Sequence, residues 1–382
     1  MNKFETQRQY YPVLAYKSFL NTPQNGLIPT YVADAICAEI QGRMLEGLDI
    51  MKTNEKWAEA DVIRGKVARL LNADPAEICF GGNSSTLFNI FANGIQLKPG
   101  ENVITYNTAY SATTYTWINK RQDGVEVRIA TAVDGRVDAN TLISLVDSKT
   151  RVISVCHVDS YTGYRHDLAR LGAFCRERGI CLAVDATQSC GAIEIDVKKM
   201  NVDFLTTSCY KWLQCPFGLG FAYIRRELID TLKQTDMGWT CTKNMTKNDP
   251  LFIDLSENAN RFEYGGLNFT ALRGLSRVLD AYHRLGAKDI QQHILNLVDY
   301  VYERAAELKN VSILGDMAPQ NRSNIVTFLY PSSWPVTHEY LYEKCISAMP
   351  LGPGHCRIGI HYYNNHDDID RFFDCLQRLD EL

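Results

Sequence analysis

Two charged side chains stand at the ends of apolar, strand-like segments. Asp185 closes the segment CLAVD, and Lys211 follows the next such segment, FLTTS. If the two segments are neighbouring strands of a parallel sheet, the carboxylate and the amine lie at the sheet edge where open α/β sheets bind ligands. Taken singly, such an aspartate is more often a helix N-cap, and a lysine is more often a solvated loop residue. The pair together predicts a site.

An acid and a lysine on adjacent strand ends suit a pyridine cofactor, pyridoxal 5′-phosphate. Lys211 would hold it as a Schiff base, and Asp185 would partner the ring nitrogen. An ionised aspartate raises the pKa of that nitrogen and keeps it protonated, so the ring can accept electrons from a substrate carbanion. The lysine must be partly desolvated so that its free-amine form is accessible.

A third segment, GGNSSTLFN, joins a predicted strand to a predicted helix. Its glycines permit unusual backbone angles. The hydroxyls and backbone N–H groups of Ser84 and Ser85 stand where a helix N-terminus can hold a phosphate. The same letters also make a plain capping turn, so this segment is informative only beside the lysine and the aspartate.

The elements that must position these groups alternate through the first two-thirds of the chain. Seven apolar segments read as strands: EICFGG, NVITYN, VEVRIAT, RVISVCHV, CLAVDA, FLTTSC and GFAYIR. Helical patterns lie between them, at TLFNIFANGI, LARLGAFCRERG and around AIEIDVKKMN. Nearly continuous apolar strands separated by helices favour a parallel sheet covered on both faces.

The last third of the chain changes character. It contains two long helical patterns, then the strands VSIL and NIVTFLY, then CRIGIHYY and a closing helix, DDIDRFFDCLQRL. We therefore expect a large α/β domain followed by a smaller α+β domain, with a boundary around residues 255–275. The sequence lacks the signatures of other protein classes that are built on such sheets: G-x-G-x-x-G, the P-loop and G-x-S-x-G.

The bulk composition narrows the class of protein. The 382 residues are 46% hydrophobic and carry a formal net charge of −4, which gives no electrostatic reason to expect nucleic acid or an anionic membrane as partner. No apolar run is long enough to span a bilayer, and the first residues lack the apolar segment of a signal peptide. The twelve cysteines are scattered without a C-x-x-C pair. We expect a cytoplasmic enzyme in a reducing compartment, with no metal site.

Five motifs in order resemble those of class V aminotransferases, fold-type I pyridoxal-phosphate enzymes that include cysteine desulfurases, selenocysteine lyases, C–S lyases and isopenicillin N epimerase-like proteins. The motifs are HVDSYTG, AVDATQSCGAIEIDV, DFLTTSCYKWLQCPFGLGFAYIRR, RFEYGG and CRIGIHYYNNHDDIDRF. The resemblance implies an α/β fold with a mixed seven-stranded sheet in a large domain, 20–260. It also implies a small α+β domain from 1–19 and 261–382, and a homodimer.

The resemblance also implies a role for each matching position. Catalysis would fall to Lys211, Asp185 and Tyr110, the last of which would stack on the cofactor ring where desulfurases carry histidine. Arg357 would clamp the substrate carboxylate, a task that suits a bidentate guanidinium. The remaining matches would bind the cofactor: Gln188 and Ser160 near its phenolic oxygen, and Ser84, Ser85, Ser208, Tyr210 and Gly266 near its phosphate.

Several positions depart from the family pattern. Tyr210 replaces a usual histidine, and Ser160 replaces a frequent asparagine. Gly266 replaces the threonine that reaches the phosphate of the partner subunit, so it offers only a backbone N–H. Cys356 directly precedes Arg357 instead of lying on a mobile loop ahead of it, and on a strand their side chains point to opposite faces. We expect Cys356 to pack behind the strand.

The remaining candidates are a cysteine and three histidines. Cys345 is expected on a helix without a catalytic role, and His157 is expected to be a packed core residue. His355 and His361 flank the arginine, and pocket lining or packing stays open for both.

The missing cysteine loop and Tyr110 favour one reaction over the others. We expect a C–S (β-elimination) lyase that acts on a small amino acid. The alternatives are a cysteine desulfurase, an aminotransferase or an epimerase, and a binding protein that keeps the fold without catalysis.

Overall fold

The computed structural model describes residues 3–244, 251–315 and 318–381. The helices of these residues are α1 Lys3–Arg8, α2 Thr30–Glu46, α3 Ile50–Leu71, α4 Ser84–Gly94, α5 Ser111–Asn119, α6 Ala139–Ser144, α7 Leu168–Arg178, α8 Arg226–Ile229, α9 Phe269–Leu285, α10 Ala287–Ala306, α11 His338–Glu343 and α12 His366–Asp380. The strands are β1 Ser18–Phe19, β2 Ile78–Gly81, β3 Asn102–Tyr106, β4 Glu126–Ala130, β5 Thr150–Cys156, β6 Cys181–Asp185, β7 Phe204–Ser208, β8 Gly220–Ile224, β9 Ser312–Ile313, β10 Ile325–Leu329, β11 Ile346–Ser347, β12 Met349–Pro350 and β13 His355–Gly359.

A seven-stranded sheet forms the centre of the fold, in the order β2-β8-β7-β6-β5-β3-β4. All seven strands predicted from the sequence are present in it. Strands β4, β3, β5, β6 and β7 run parallel, whereas β8 runs antiparallel to both of its neighbours, β7 and β2. The sheet is therefore mixed, as the family resemblance implied. Residues 209–219, which include Lys211, connect β7 to its antiparallel neighbour β8.

The two faces of this sheet are covered by separate apolar clusters. On one face α4 and α5 pack against the sheet through a group of rings: Phe88, Phe91, Trp117 and Phe204. The other face joins the larger cluster, which includes α7, α9 and α10. Because both faces are covered, the central strands are almost entirely buried, which explains the largely apolar sequences of β5 and β8. Strand β7, FLTTS, is also buried throughout, although three of its five residues carry hydroxyls.

The last third of the chain builds a second, four-stranded antiparallel sheet in the order β12-β13-β10-β9. Helix α12 packs on it through apolar residues at helical spacing, including Phe372 and Phe373 against Phe328. A two-stranded pairing of β1 with β11 ties the N-terminal segment to this region. The predicted long helices and the closing helix are confirmed as α9, α10 and α12.

One predicted helix is wrong. Residues 192–201 form turns rather than a helix. Ile193, Ile195 and Val197 are all buried at alternating positions, a spacing of two that fits an extended segment against the core. Of the helices described, none combines the length and the hydropathy that a membrane crossing requires.

Candidate active site

The ends of three adjacent strands bring the predicted residues together. Asp185 ends β6, Ser208 ends β7, and Cys156 ends β5, where it lies opposite Asp185 in the strand register. The first residues after β7 then carry Lys211 over the same edge. The chain order of the strands, 5-6-7, is also their order in the sheet, so sequence neighbours become spatial neighbours.

A cavity of about 350 Å³ lies at this edge. Nine of the eleven predicted site residues line it: Lys211, Asp185, Tyr110, Gln188, Ser84, Ser85, Ser208, Tyr210 and Ser160. Its volume is in the range of small-ligand sites. A larger open cleft of about 690 Å³, lined by Asp138 and Arg165 among others, contains none of the eleven. The predicted site residues therefore meet in the smaller cavity, which is the candidate active site.

Lys211 is held out of water in this cavity, with 7% of its surface exposed. Its Nζ lies 5.6 Å from the ring centroids of both Tyr110 and Tyr210. Burial, reinforced by the charge of Arg357 and opposed by that of Asp185, lowers the pKa of Lys211 to about 8. The free amine is thus accessible near neutral pH, as a nucleophile or a base requires.

Asp185 is buried at the base of the cavity, and its Oδ1 accepts a hydrogen bond from the Thr187 backbone N–H at 2.8 Å. Burial raises the pKa of the Asp185 carboxyl, while hydrogen bonds from Thr187 and the charge of Lys211 act to lower it. A buried carboxylate gains most from a cationic partner. A protonated ring nitrogen is a group of that kind.

The phosphate end of the predicted site is the N-terminus of α4. Asn83 caps this helix by accepting from the Thr86 amide at 2.8 Å. The Ser84 amide donates to Ser208 Oγ at 2.9 Å, and the two serine hydroxyls are 3.0 Å apart. Hydroxyls and N–H groups at the positive end of an eleven-residue helix form an anion-binding arrangement.

Arg357 lies on β13, paired with Thr327 of β10, and is not among the residues that line the cavity. Its Nη1 donates to the backbone oxygen of Ser160, which does line it. Among the described residues, no partner is found for the buried Nε. Burial lowers the pKa of Arg357 to about 10, so the guanidinium stays charged at neutral pH. A charged group with an unused donor suits a carboxylate.

Residues 23–26 of the N-terminal segment pack against three residues of the site, a contact that the sequence did not predict. Gln188 donates through Nε2 to the Pro23 oxygen, and its Oε1 accepts from Trp212 Nε1. Gly26 donates to the Tyr210 oxygen at 2.9 Å. A Cβ on Gly26 would lie 1.9 Å from the oxygen of Lys211, so only glycine permits this approach. The turn letters NTPQNG were the available signal.

Three aromatic side chains line part of the cavity: Tyr110, Tyr210 and Phe217. Tyr110 is 45% exposed at the start of α5, and Tyr210 stacks on Phe217 with 4.3 Å between centroids. Gly266 lies outside this cavity, in an adjoining one of about 200 Å³ that shares Gly82 and Gly218 with it. Its predicted contact with a phosphate of the partner subunit stays a prediction.

The cysteine and histidine expectations have mixed outcomes. Cys356 is fully buried, and burial raises its pKa to about 12, so its predicted packing behind the strand is confirmed. Cys345 is exposed in a left-handed turn just after α11, so its predicted place on a helix is wrong. His157 is buried, as expected, with its pKa lowered to about 3 by burial.

His355 and His361, whose roles the sequence left open, do not line the cavity. His361 is fully buried and stacks on Trp212, and its Nε2 contacts Gln214 and the Trp212 oxygen. His355 places Nδ1 3.0 Å from the Pro353 oxygen. Of the two alternatives left open, the structure therefore favours packing for His361, and His355 makes a turn contact. The described residues contain no group of three or more His, Cys, Asp or Glu side chains that could hold a metal ion.

The residues present fit pyridoxal 5′-phosphate. A desolvated amine, a buried carboxylate and a serine-lined helix N-terminus converge on one small cavity. These are the three groups needed to hold an aldehyde carbon, a pyridine nitrogen and a phosphate. The fold and the site together define a fold-type I arrangement.

Comparison with known proteins agrees with this arrangement. The family model for class-V aminotransferases matches residues 50–372. A probable cysteine desulfurase of Methanothermobacter thermautotrophicus is 26% identical over 348 residues, 86% of this chain and 85% of that protein. A cysteine desulfurase of Pectobacterium atrosepticum is 27% identical over 345 residues, 84% of this chain and 82% of that protein.

Solved structures show the same fold. The apo cysteine desulfurase of Thermococcus onnurineus superimposes with a TM-score of 0.87 and 23% identity, covering 99% of this chain and 98% of that one. The cystine C–S lyase C-DES, in complex with cysteine persulfide, superimposes with a TM-score of 0.87 and 23% identity, covering 96% and 98%. The chain belongs to the class-V aminotransferase family, whose members use pyridoxal 5′-phosphate.

Proposed function

We propose that this protein is a pyridoxal-phosphate-dependent C–S lyase that removes sulfur from a small amino acid such as cysteine or cystine by β-elimination. One observation carries the choice of reaction. The cavity that holds Lys211 and Asp185 offers a base and an acid partner, but the cysteine among its described lining residues, Cys156, is buried with its pKa raised to about 12. Elimination needs the base and no thiolate.

When bound, pyridoxal phosphate supplies an electron-accepting ring that stabilises negative charge on the substrate carbon next to the amine. Lys211 anchors it, and in the presence of substrate its Nζ receives the proton from that carbon. Asp185 holds the proton on the ring nitrogen, and the serines at the start of α4 bind the phosphate. Arg357 orients the substrate through its carboxylate, with Ser160 fixing the guanidinium.

The bonds balance without an oxidant or a reductant. The α-proton passes to Lys211 Nζ, and the Cβ–S bond breaks with its electrons leaving on sulfur. The released 2-aminoacrylate takes up water to give pyruvate and ammonia. From cysteine the sulfur product is sulfide, and from cystine it is cysteine persulfide.

Cysteine desulfuration is the second candidate, because the curated relatives reported above carry that name. It requires a thiolate that attacks the substrate sulfur, which calls for an exposed thiol of low pKa. Cys356 faces the core, and Cys345 is exposed but does not line the cavity. Cys156 does line it, yet burial disfavours its thiolate.

The products distinguish the two reactions. The purified enzyme is incubated with L-cysteine or L-cystine, and pyruvate, alanine and sulfide are measured. Pyruvate from either substrate, lost in Lys211→Ala, supports elimination. Alanine formed with persulfide, and lost in Cys156→Ser, refutes elimination and supports desulfuration. A wild-type protein that retains no cofactor absorbance once free pyridoxal phosphate has been removed refutes both.

We also propose a homodimer in the cytoplasm. Met44, Leu45, Ile50 and Met51 are all more than two-thirds exposed around the α2–α3 junction, and covering these side chains favours association. None of the twelve cysteines forms a disulfide, which supports a reducing compartment. Light scattering on the purified protein tests the dimer, and a monomer at micromolar concentration would refute it.

The division of the chain stays a proposal as well: a large domain of residues 20–260 and a small one of 1–19 and 261–382. The two separate sheets described above, one of seven strands and one of four, support this division. Limited proteolysis is expected to cut near residues 255–275, and cleavage elsewhere first would count against this boundary.

A further inference from the structure

Thr187 lies between the two ends of the cofactor site and has no role assigned so far. It follows Asp185 by two residues, lines the cavity, and is 8% exposed. Its backbone N–H donates to Asp185 Oδ1 at 2.8 Å. Its hydroxyl Oγ1 accepts from the Ser208 backbone N–H at 3.2 Å. Main chain and side chain of one residue thus contact both neighbouring strand ends.

The Thr187 hydroxyl has one proton to donate. Because Oγ1 already accepts from Ser208, its own proton is free to point at a second acceptor. The Asp185 carboxylate, whose Oδ1 accepts from the Thr187 backbone N–H at 2.8 Å, is within reach of that proton, and a side-chain hydrogen bond from Thr187 is one of the influences that lower the pKa of Asp185 against the effect of burial. The hydroxyl therefore favours the charged form of a carboxyl that burial alone would neutralise.

Beyond Thr187 the hydrogen bonds continue to the phosphate end. The side chain of Ser208, whose amide donates to Thr187, bonds the hydroxyl of Ser84 at 3.0 Å and accepts from the Ser84 amide at 2.9 Å. Ser84 is the first residue of α4. An unbroken set of contacts thus connects Asp185 with the anion-binding helix N-terminus.

We propose that Thr187 is a positioning residue whose hydroxyl holds the Asp185 carboxylate and couples it to the Ser208–Ser84 pair, so that one hydrogen-bonded unit receives both the ring nitrogen and the phosphate of the cofactor. The inference rests on the proposed pyridoxal-phosphate dependence. Thr187 does not carry the reaction itself. It acts through Asp185 and Ser208.

Valine is the decisive substitution, because Thr187→Val keeps the shape and removes only the hydroxyl. Thr206→Val is the matched control. Thr206 is a buried threonine that lies opposite Asp185 in the strand register, but its hydroxyl donates to the Phe221 oxygen and it does not line the cavity. Thr187→Ser restores the hydroxyl. If the valine variant does not fold, the cofactor affinities of Thr187→Ala and Thr187→Ser are compared instead, since these two variants also differ in the hydroxyl.

The measurement is the dissociation constant of pyridoxal phosphate for the apo-enzyme between pH 5 and 9, from quenching of protein fluorescence. Losing a hydrogen bond to a charged group is expected to weaken binding about tenfold or more in Thr187→Val. Since the pKa of Asp185 then rises, the loss of affinity on acidification is expected to begin about one pH unit higher than in wild type. Thr187→Ser and Thr206→Val are expected to follow wild type.

Three results would overturn the inference. In the first, Thr187→Val binds as wild type at every pH. In the second, Thr206→Val weakens binding as much, which would indicate general disturbance of the strand ends. In the third, Thr187→Ser fails to restore affinity. Absence of binding by the wild-type protein is a different result, because it refutes the proposed function and this inference with it.

Discussion

The low pKa of the Lys211 amine predicts how the rate of cofactor binding depends on pH. Burial brings its pKa from 10.5 to about 8, a change worth about 3 kcal/mol in favour of the free amine. At pH 7 roughly one amine in ten is then unprotonated, against roughly one in 3,000 at the ordinary pKa. The rate at which apo-enzyme takes up pyridoxal phosphate is expected to rise about tenfold per pH unit up to pH 7 and to level off above pH 8.

Two variants are expected to move this inflection in opposite directions. The negative charge of Asp185 raises the pKa of Lys211, so Asp185→Asn is expected to move the inflection to lower pH. The positive charge of Arg357 lowers that pKa, so Arg357→Gln is expected to move it to higher pH. A charge at close range shifts a pKa by about one unit or more, which sets the size of both effects.

The assay is stopped-flow absorbance of apo-enzyme mixed with cofactor between pH 6 and 10. Lys211→Ala, which cannot form the covalent link, gives the background. The same reaction with free Nα-acetyl-lysine corrects for titration of the cofactor itself. A wild-type rate that still rises about tenfold per pH unit between pH 8 and 10 would contradict the desolvation argument. If the inflections of Asp185→Asn and Arg357→Gln moved in the same direction, the argument that the two charges have opposite effects on the pKa of Lys211 would be contradicted.

Three further predictions concern single side chains. Arg357→Lys keeps the charge but loses the fork geometry, so KM for the amino acid is expected to rise about tenfold or more with little change in kcat, measured by initial rates. Glu263→Gln removes the buried counter-charge of the Arg64 guanidinium, which is bonded to Glu263 at 2.6 Å, and leaves only the exposed Asp61 near it. This variant is expected to lower the free energy of unfolding by about 3 kcal/mol, measured by chemical denaturation. Cys356→Ala is expected to leave pyruvate formation within about twofold, because free cysteine in a core acts as a small apolar residue.

Each of these has a result that would count against it. An unchanged KM in Arg357→Lys would remove the carboxylate-binding role. For Glu263→Gln the control is Asp289→Asn, which breaks the exposed pair with Lys3 and is expected to cost under about 1 kcal/mol; equal costs in the two variants would refute the burial argument. Loss of all sulfur release in Cys356→Ala would revive this cysteine as a nucleophile.

Much of the architecture was readable from local pattern. The central strands are buried along almost their whole length because both faces of the sheet are covered, so the apolar residues of β5, β6 and β7 are consecutive and these strands could be recognised without their partners. Asp185 and Lys211 could be paired because sequential strands in such a sheet are spatial neighbours. The segment 192–201 was wrongly predicted as a helix because its apolar residues are buried at alternating positions in turns and irregular chain, where Ile193 makes only an isolated bridge to Cys190.

The order of residues along the chain specifies which chemical groups are present and the sheet edge at which they meet. The environment of those groups is created only when the chain folds. The pKa of Lys211 depends on burial and on the charge of the remote Arg357, and the orientation of Arg357 depends on a backbone oxygen of Ser160. Long-range contacts of this kind leave no local periodicity in the chain, because packing and hydrogen bonds between remote residues create them only after folding.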